Sequence, residues 1–230
     1  MSALRDAQVL ACTDWTTLTF EEEESDLARM LDRVEAMEGG PAACCIPLKW
    51  VDWWAERRVR KDVALATVLN FPAGNHSIEA IAEEAQRAGG AEEWDVVFPH
   101  EAFRSGDEGP ARELLPLIRE WAGSRAVKVI LETGAPWEPR KLQRAAERCL
   151  EAGADFLKTS TGKVAVGATP EAVDALLEVL RGSGKGIKIS GGIRTLDAAH
   201  AYLDQVERAL GADCIAPPTC RLGTSNLLIR

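Results

Sequence analysis

Residues 154–192 read ADFLKTSTGKVAVGATPEAVDALLEVLRGSGKGIKISGG. Two short apolar runs, Asp155–Ser160 and Ile187–Ser190, bracket a segment of helical period, Pro170–Arg181. Thr169-Pro170 supplies an N-cap followed by a proline whose fixed φ suits a first helical turn. Strand, helix and strand in this order form a right-handed βαβ unit with parallel strands. Parallel strands are covered on their faces, so a charge inside one is anomalous. This unit has two lysines inside its strands, Lys158 and Lys188.

The same alternation extends in both directions. Strand candidates are Val9–Asp14, Ala42–Pro47, Val63–Asn70, Trp94–Pro99, Val127–Glu132, the two above, and a weak eighth at Cys214–Ala216. Helix candidates are Glu22–Met37, Leu48–Val59, Ile78–Ala88, Ala111–Trp121, Pro139–Ala152, Pro170–Arg181 and Leu196–Leu210, with a short helical start near Thr224. Gly39-Gly40, Gly89-Gly90 and Gly153 mark helix stops. Eight repeats in 230 residues predict an α/β fold, a closed (β/α)8 or TIM barrel. An open doubly wound sheet is the alternative, but the first βα turn lacks G-x-G-x-x-G. With no linker or low-complexity tract, residues 1–230 are expected to form one barrel domain.

Composition narrows the function classes. The formal charge is −9 with no basic block, which argues against nucleic acid. No stretch nears the roughly 18 consecutive apolar residues of a membrane span, and no signal pattern opens the chain, so a cytoplasmic protein is expected. The cysteines Cys12, Cys44, Cys45, Cys149, Cys214 and Cys220 show no C-x-x-C spacing, and His76, His100 and His200 are scattered. Neither a disulfide framework nor a metal site is expected. Trp50, Trp53 and Trp54 share a helix face that reads as core packing, with a homodimer contact as the alternative. The acidic run Glu21–Glu24 fits a solvated helix start.

Period-two alternation places Lys188 between Ile187 and Ile189 and turns it into the barrel. By the same parity Asp95, between Trp94 and Val96, faces inward, as does Lys128 between Val127 and Val129. Lys158 falls near the C-terminal end of its strand, where barrels keep their chemistry. Lys128 reads as a partner of Asp95 or Glu132. A structural ion network or lysines that snorkel to the rim would also account for isolated strand charges. Their convergence favours chemistry. A lysine attacks a carbonyl only as neutral amine, about 0.04% of the population at pH 7. A second ammonium about 6 Å away contributes roughly 2.8 kcal/mol of repulsion at an effective dielectric near 20. That raises the neutral fraction about a hundredfold, and desolvation pushes the same way. One lysine therefore serves as nucleophile and the other as its activator, with Asp95 and water moving protons.

Three loops follow the last strands. Thr159-Ser160-Thr161-Gly162-Lys163 is rich in hydroxyls, and Ser190-Gly191-Gly192-Ile193-Arg194 lets backbone N–H groups approach an anion. Leu222-Gly223-Thr224-Ser225-Asn226 follows the cation Arg221. Barrel phosphates commonly bind at the loops after strands seven and eight.

These segments carry a family resemblance. Ala154–Lys163 resembles the Schiff-base segment of the class I deoxyribose-phosphate aldolase family, and Gly186–Arg194 and Glu93–Pro99 resemble its second-lysine and proton-relay segments. Asp14–Leu18, Asn70–Asn75 and Leu131–Gly134 match as well, so the likeness runs from about Asp14 to Leu228. It implies reversible cleavage of 2-deoxy-D-ribose 5-phosphate to acetaldehyde and D-glyceraldehyde 3-phosphate, without metal or other cofactor. Lys158 would form the Schiff base, Lys188 perturb it and Asp95 relay protons. Asp14 would order Lys188 and the sugar hydroxyls, with Thr16 beside it. Gly162, Lys163, Gly191, Gly192, Ser225 and Asn226 would line the substrate's phosphate end, with Thr161, Arg194 and Gly223 as further substrate-binding candidates. Cys45 holds the place of a pocket thiol, though a core cysteine accounts for it equally. Partners would be sugar phosphates and aldehydes. Some family members use a tail ending in tyrosine for proton exchange; here the single tyrosine, Tyr202, falls in a helix. Proton transfer is then expected to rest on Asp95 and water. Asn226, Ile189 and Ser190 depart from common family residues and bear on substrate preference. A Schiff-base aldolase for another aldehyde, and a non-catalytic sugar-phosphate-binding barrel, are the alternatives.

Overall fold

A computed structural model describes residues 2–225. Its parallel strands are β1 (Thr13–Thr16), β2 (Ala43–Ile46), β3 (Ala64–Leu69), β4 (Glu93–Val97), β5 (Ala126–Ile130), β6 (Phe156–Lys158), β7 (Gly186–Ser190) and β8 (Cys220–Thr224). Each pairs with the next and β8 returns to β1, closing a (β/α)8 barrel with no free sheet edge. The helices are α1 (Ser2–Ala11), α2 (Glu24–Ala36), α3 (Val51–Arg57), α4 (Ile78–Arg87), α5 (His100–Ser105), α6 (Gly109–Ala122), α7 (Pro139–Glu151), α8 (Pro170–Leu180) and α9 (Leu196–Leu210).

Alternation along each strand divides the buried residues into two layers. Trp94, Val96, Val127, Val129, Leu157, Ile187, Ile189 and Leu222 face outward and join the helix side chains in the main core. Leu18, Ala43, Cys45, Ala66, Val68, Phe71, Val97 and Ile130 form a separate cluster. The small apolar residues of β2 and β3 thus fill one side of the barrel. The charges gather on the arc from β4 through β8 to β1.

Both ends of the sequence reading need correction. The expected first strand, Val9–Asp14, is split: Val9 to Ala11 belong to α1, and β1 begins at Thr13. Side chains on α9 hold that helix, with Glu207 at 2.9 Å from Arg5 and His200 at 2.8 Å from Asp6. The expected eighth strand, Cys214–Ala216, is also wrong. Ala212–Cys214 form a 3-10 turn, and β8 lies at Cys220–Thr224. Pro217-Pro218 cannot donate to a ladder, whereas 220–224 alternate correctly. Arg221 and Gly223 at the inward positions had made that strand read as a loop. The helical start near Thr224 is β8 as far as Thr224; residues 226–230, Asn226 among them, lie outside the described residues. The reading also missed α1 and α5. Trp54 enters the core, whereas Trp50 and Trp53 are half-buried and pack edge-on, 6.0 Å apart. No helix among the described residues is long and apolar enough to cross a membrane.

Candidate active site

Strand register brings the anomalous charges together. Asp95 pairs with Lys128 across β4 and β5, and Lys158 with Lys188 across β6 and β7. Lys158 Nζ and Lys188 Nζ both donate to Asp95 Oδ2 at 2.6 Å, and Lys128 Nζ donates to Asp95 Oδ1 at 2.9 Å. Lys188 also lies 2.5 Å from Asp14 Oδ2, and Lys128 lies 2.6 Å from Glu93 Oε2 and 3.6 Å from Asp14. Arg221 closes the network below, 2.6 Å from Asp14 and 2.7 Å from Glu93. Asp14, Asp95, Lys128 and Lys188 are fully buried. Lys128 is therefore the partner of Asp95; Glu132, its alternative, bonds elsewhere. Arg221, read as a cation beside the anion loop, is spent on this network.

The network sets four cations, Lys128, Lys158, Lys188 and Arg221, against three carboxylates, Asp14, Glu93 and Asp95. Excess charge in a buried site is relieved by losing a proton. Arginine does not deprotonate. Lys128 touches three carboxylates and Lys188 two, whereas Lys158 shares a single oxygen. Lys158 gives way. Burial pushes its amine below the ordinary lysine range; Asp95 opposes that and the Lys188 charge reinforces it. Burial opposes the Lys188 charge as well, but Asp14 and Asp95 outweigh it and raise that amine. Asp95, despite the cost of burial, is held well below the usual carboxylate range by Lys128, Lys158 and Lys188.

Above the network, at the C-terminal strand ends, opens a cavity of about 600 Å³. Lys158 is the member of the charge network that lines it, and Thr16, Thr161, Gly162, Lys163, Gly191, Gly192, Arg194, Gly223 and Ser225 are on its walls. Gly191 and Gly192 have φ of +92° and +94°. A Cβ on Gly191 would lie 2.8 Å from Gly167 Cα, so the loops after β6 and β7 meet backbone to backbone. Ala168 N donates to Gly191 O at 3.1 Å, and Tyr202 on α9 donates its hydroxyl to Ala168 O at 3.0 Å. A Cβ on Gly223 would lie 2.8 Å from Ser190 Cβ and 3.2 Å from Lys188 Cε.

Cys45 stands apart. It is fully buried in the inner apolar cluster, away from the cavity wall, with its thiol pushed up to about 11 by burial and by Asp95. Asp14 and Asp95 likewise are absent from the cavity wall; Asp95 meets the cavity through Lys158, and Asp14 is linked to Asp95 through Lys188. The sequence reading missed Glu93 as a network carboxylate, although its place at the start of a buried strand was a usable signal. It also missed the outer wall, where Trp15 and the α2 residues Asp26, Arg29, Met30 and Arg33 border the cavity. Their helical spacing marks one face of α2 without saying what that face borders. Glu132 was noticed as a possible partner of Lys128 and within the family-like segment Leu131–Gly134, without a role at the site. It follows β5 with φ +49°, is 1% exposed, and accepts the Thr161 hydroxyl at 2.5 Å.

Residues 12–216 match the family model described as DeoC/LacD family aldolase. A solved structure named QR15, an aldolase, is 31% identical over 94% of this chain and 91% of its own, with TM-score 0.80. The deoxyribose phosphate aldolase of Aeropyrum pernix, whose structure is described as tetrameric, is 27% identical over 96% of this chain and 88% of its own, with TM-score 0.79. A Toxoplasma gondii ME49 structure at 23% identity covers 96% of this chain and 90% of its own with TM-score 0.87, a likeness of fold. A closed parallel barrel, a lysine-rich interior opening on a cavity at the C-terminal strand ends, and a family match across most of the sequence agree: this chain belongs to the DeoC/LacD family of aldolases.

Proposed function

We propose that this aldolase cleaves 2-deoxy-D-ribose 5-phosphate reversibly to acetaldehyde and D-glyceraldehyde 3-phosphate, through a Schiff base on Lys158. One observation carries the assignment. Lys158 is the network lysine that both lines the cavity and contacts a single carboxylate oxygen. Neutral amine is what carbonyl attack requires, and the charge count supports its formation there. Its nitrogen adds to the substrate aldehyde; the carbinolamine loses water to an iminium. The iminium withdraws the electrons of the adjacent C–C bond as the β-hydroxyl loses its proton. D-Glyceraldehyde 3-phosphate departs, and the remaining enamine is protonated and hydrolysed to acetaldehyde. Lys188, held charged by Asp14 and Asp95, keeps Lys158 from reprotonating, and Asp95, bonded to all three lysines, takes up the β-hydroxyl proton through water and returns it to the enamine carbon.

The phosphate end is assigned to the loops that follow β6, β7 and β8. Gly162, Gly191 and Gly192 offer approachable backbone, with Lys163 and Arg194 as exposed cations and Ser225 as a hydroxyl. This arrangement favours a phosphorylated substrate over a neutral aldehyde of the same length. The test is borohydride reduction in the presence of acetaldehyde, followed by peptide mass mapping. The reading expects an ethyl adduct on Lys158, absent from Lys158→Ala. An adduct on Lys188 that survives Lys158→Ala would reverse the two roles.

A further inference from the structure

Two members of the buried network have no place in the chemistry above. Arg221 and Glu93 are buried and absent from the cavity wall, so neither touches substrate. Glu93 comes two residues before Asp95 on β4 and so sits one layer deeper, and β8 sets Arg221 beside Lys188 in register. Arg221 donates to Asp14 Oδ1 at 2.6 Å and to the two oxygens of Glu93 at 2.7 and 3.1 Å. The other oxygen of Asp14 lies 2.5 Å from Lys188, and Lys188 shares a single Asp95 oxygen with Lys158. Glu93 also holds Lys128 at 2.6 Å, and Lys128 draws on the second oxygen of Asp95. Every link is a competition for a carboxylate, and both chains of links end at Lys158.

We infer that Arg221 and Glu93 are positioning residues of opposite effect, which set from beneath whether Lys158 stands as amine or ammonium. Arg221 favours the amine and Glu93 the ammonium. With Lys158 neutral, three cations, Lys128, Lys188 and Arg221, face three carboxylates, Asp14, Glu93 and Asp95, and the buried cluster carries no net charge. Arginine holds its proton. Burial opposes the charge on Lys128, but Asp95, Glu93 and Asp14 outweigh it. Without Arg221, Asp14 turns wholly to Lys188, Lys188 loosens its hold on Asp95, and the freed oxygen keeps a proton on Lys158. Without the Glu93 charge, Lys128 leans harder on Asp95 and leaves less of it for Lys158. Direct electrostatics have the same signs. The intervening ion pairs put each group roughly 10 Å from Lys158, where a unit charge at an effective dielectric near 20 moves a lysine by about one pH unit. The other titratable groups facing Lys158, the Cys45 thiol on β2 and Glu132 at the end of β5, are the same with or without these two residues. This inference rests on the Schiff-base reading above.

The test is the rate of borohydride trapping of acetaldehyde on Lys158 against pH, in the parent, Arg221→Met, Arg221→Lys, Glu93→Gln and the double variant Arg221→Met with Glu93→Gln. Arg221→Met should move the midpoint up by about one pH unit and slow trapping about tenfold at neutral pH. Arg221→Lys, which keeps the charge, should hold the parental midpoint. Glu93→Gln should move the midpoint down by about one unit, and the double variant should return it to the parental value. General damage to the barrel would not move the two single variants in opposite directions or restore the pair. Shifts of the same sign in Arg221→Met and Glu93→Gln, or none in either, overturn the inference. Should Arg221→Met fail to fold, Glu93→Gln decides alone, and a midpoint at or above the parental one overturns it. A parent with no Lys158 adduct overturns the Schiff-base reading and this inference together; a parental adduct with unmoved midpoints in the variants overturns this inference alone.

Discussion

Replacing Lys188 by leucine tests the electrostatic core of the mechanism. Lys158 and Lys188 bond to the same Asp95 oxygen at 2.6 Å each. That geometry keeps the two nitrogens within roughly 5 Å, where an ammonium at an effective dielectric near 20 contributes about 3 kcal/mol of repulsion. Removing it also leaves Asp95 freer to attract a proton onto Lys158. Both effects favour the ammonium form, so neutral Lys158 at pH 7 should fall by roughly a hundredfold. The Asp14 carboxylate keeps Arg221 at 2.6 Å, so the buried anion is not orphaned. Breaking a buried pair still costs about 3–5 kcal/mol, survivable for a domain of ordinary stability. The assay is the rate of borohydride trapping of acetaldehyde on Lys158 from pH 6 to pH 10, alongside circular dichroism. Lys188→Leu should trap about a hundredfold more slowly at neutral pH and recover as pH rises. A folded variant whose trapping rate and pH midpoint match the parent would refute the activator role.

Three further expectations follow from the same geometry. Lys158→Met should abolish cleavage and raise stability by about 1 kcal/mol at pH 7, because it removes an amine that the fold disfavours in its charged form. The folded pKa of Lys158 is lowered, so the unfolded chain binds the proton more tightly. The penalty is therefore full below the folded pKa and gone above the ordinary lysine range, and the gain in thermal midpoint should shrink toward pH 11. Gly223→Ala forces a Cβ to 2.8 Å from Ser190 Cβ and 3.2 Å from Lys188 Cε, and should cost about 1–3 kcal/mol in urea unfolding. Lys163→Met and Arg194→Met should each raise KM for 2-deoxy-D-ribose 5-phosphate several-fold while leaving that for unphosphorylated 2-deoxy-D-ribose unchanged. A parallel change for both sugars would argue that these cations do not meet the phosphate.

Much of this molecule is legible in its chain because two periods are. The alternation of Ile187, Lys188 and Ile189 sets which side chains face the helices and which face the interior, and closure follows from eight such units. That reasoning turned Asp95, Lys128, Lys158 and Lys188 inward, as the barrel has them. It failed where inward positions are charged or small. Arg221 and Gly223 hid β8, and the short apolar run at Val9 read as strand until α1 docked on α9. What periodicity does not encode is the distance between strands far apart in sequence. Lys158 and Lys188 touching one oxygen of Asp95, Glu93 and Arg221 sealing the network, and Cys45 remaining off the cavity wall are all consequences of stagger around a closed ring. The chain determined the inventory of charges and their facing. Only the tertiary structure decided their neighbours, because in a buried site a lysine's protonation depends on how many carboxylates surround it, and that number is set by register.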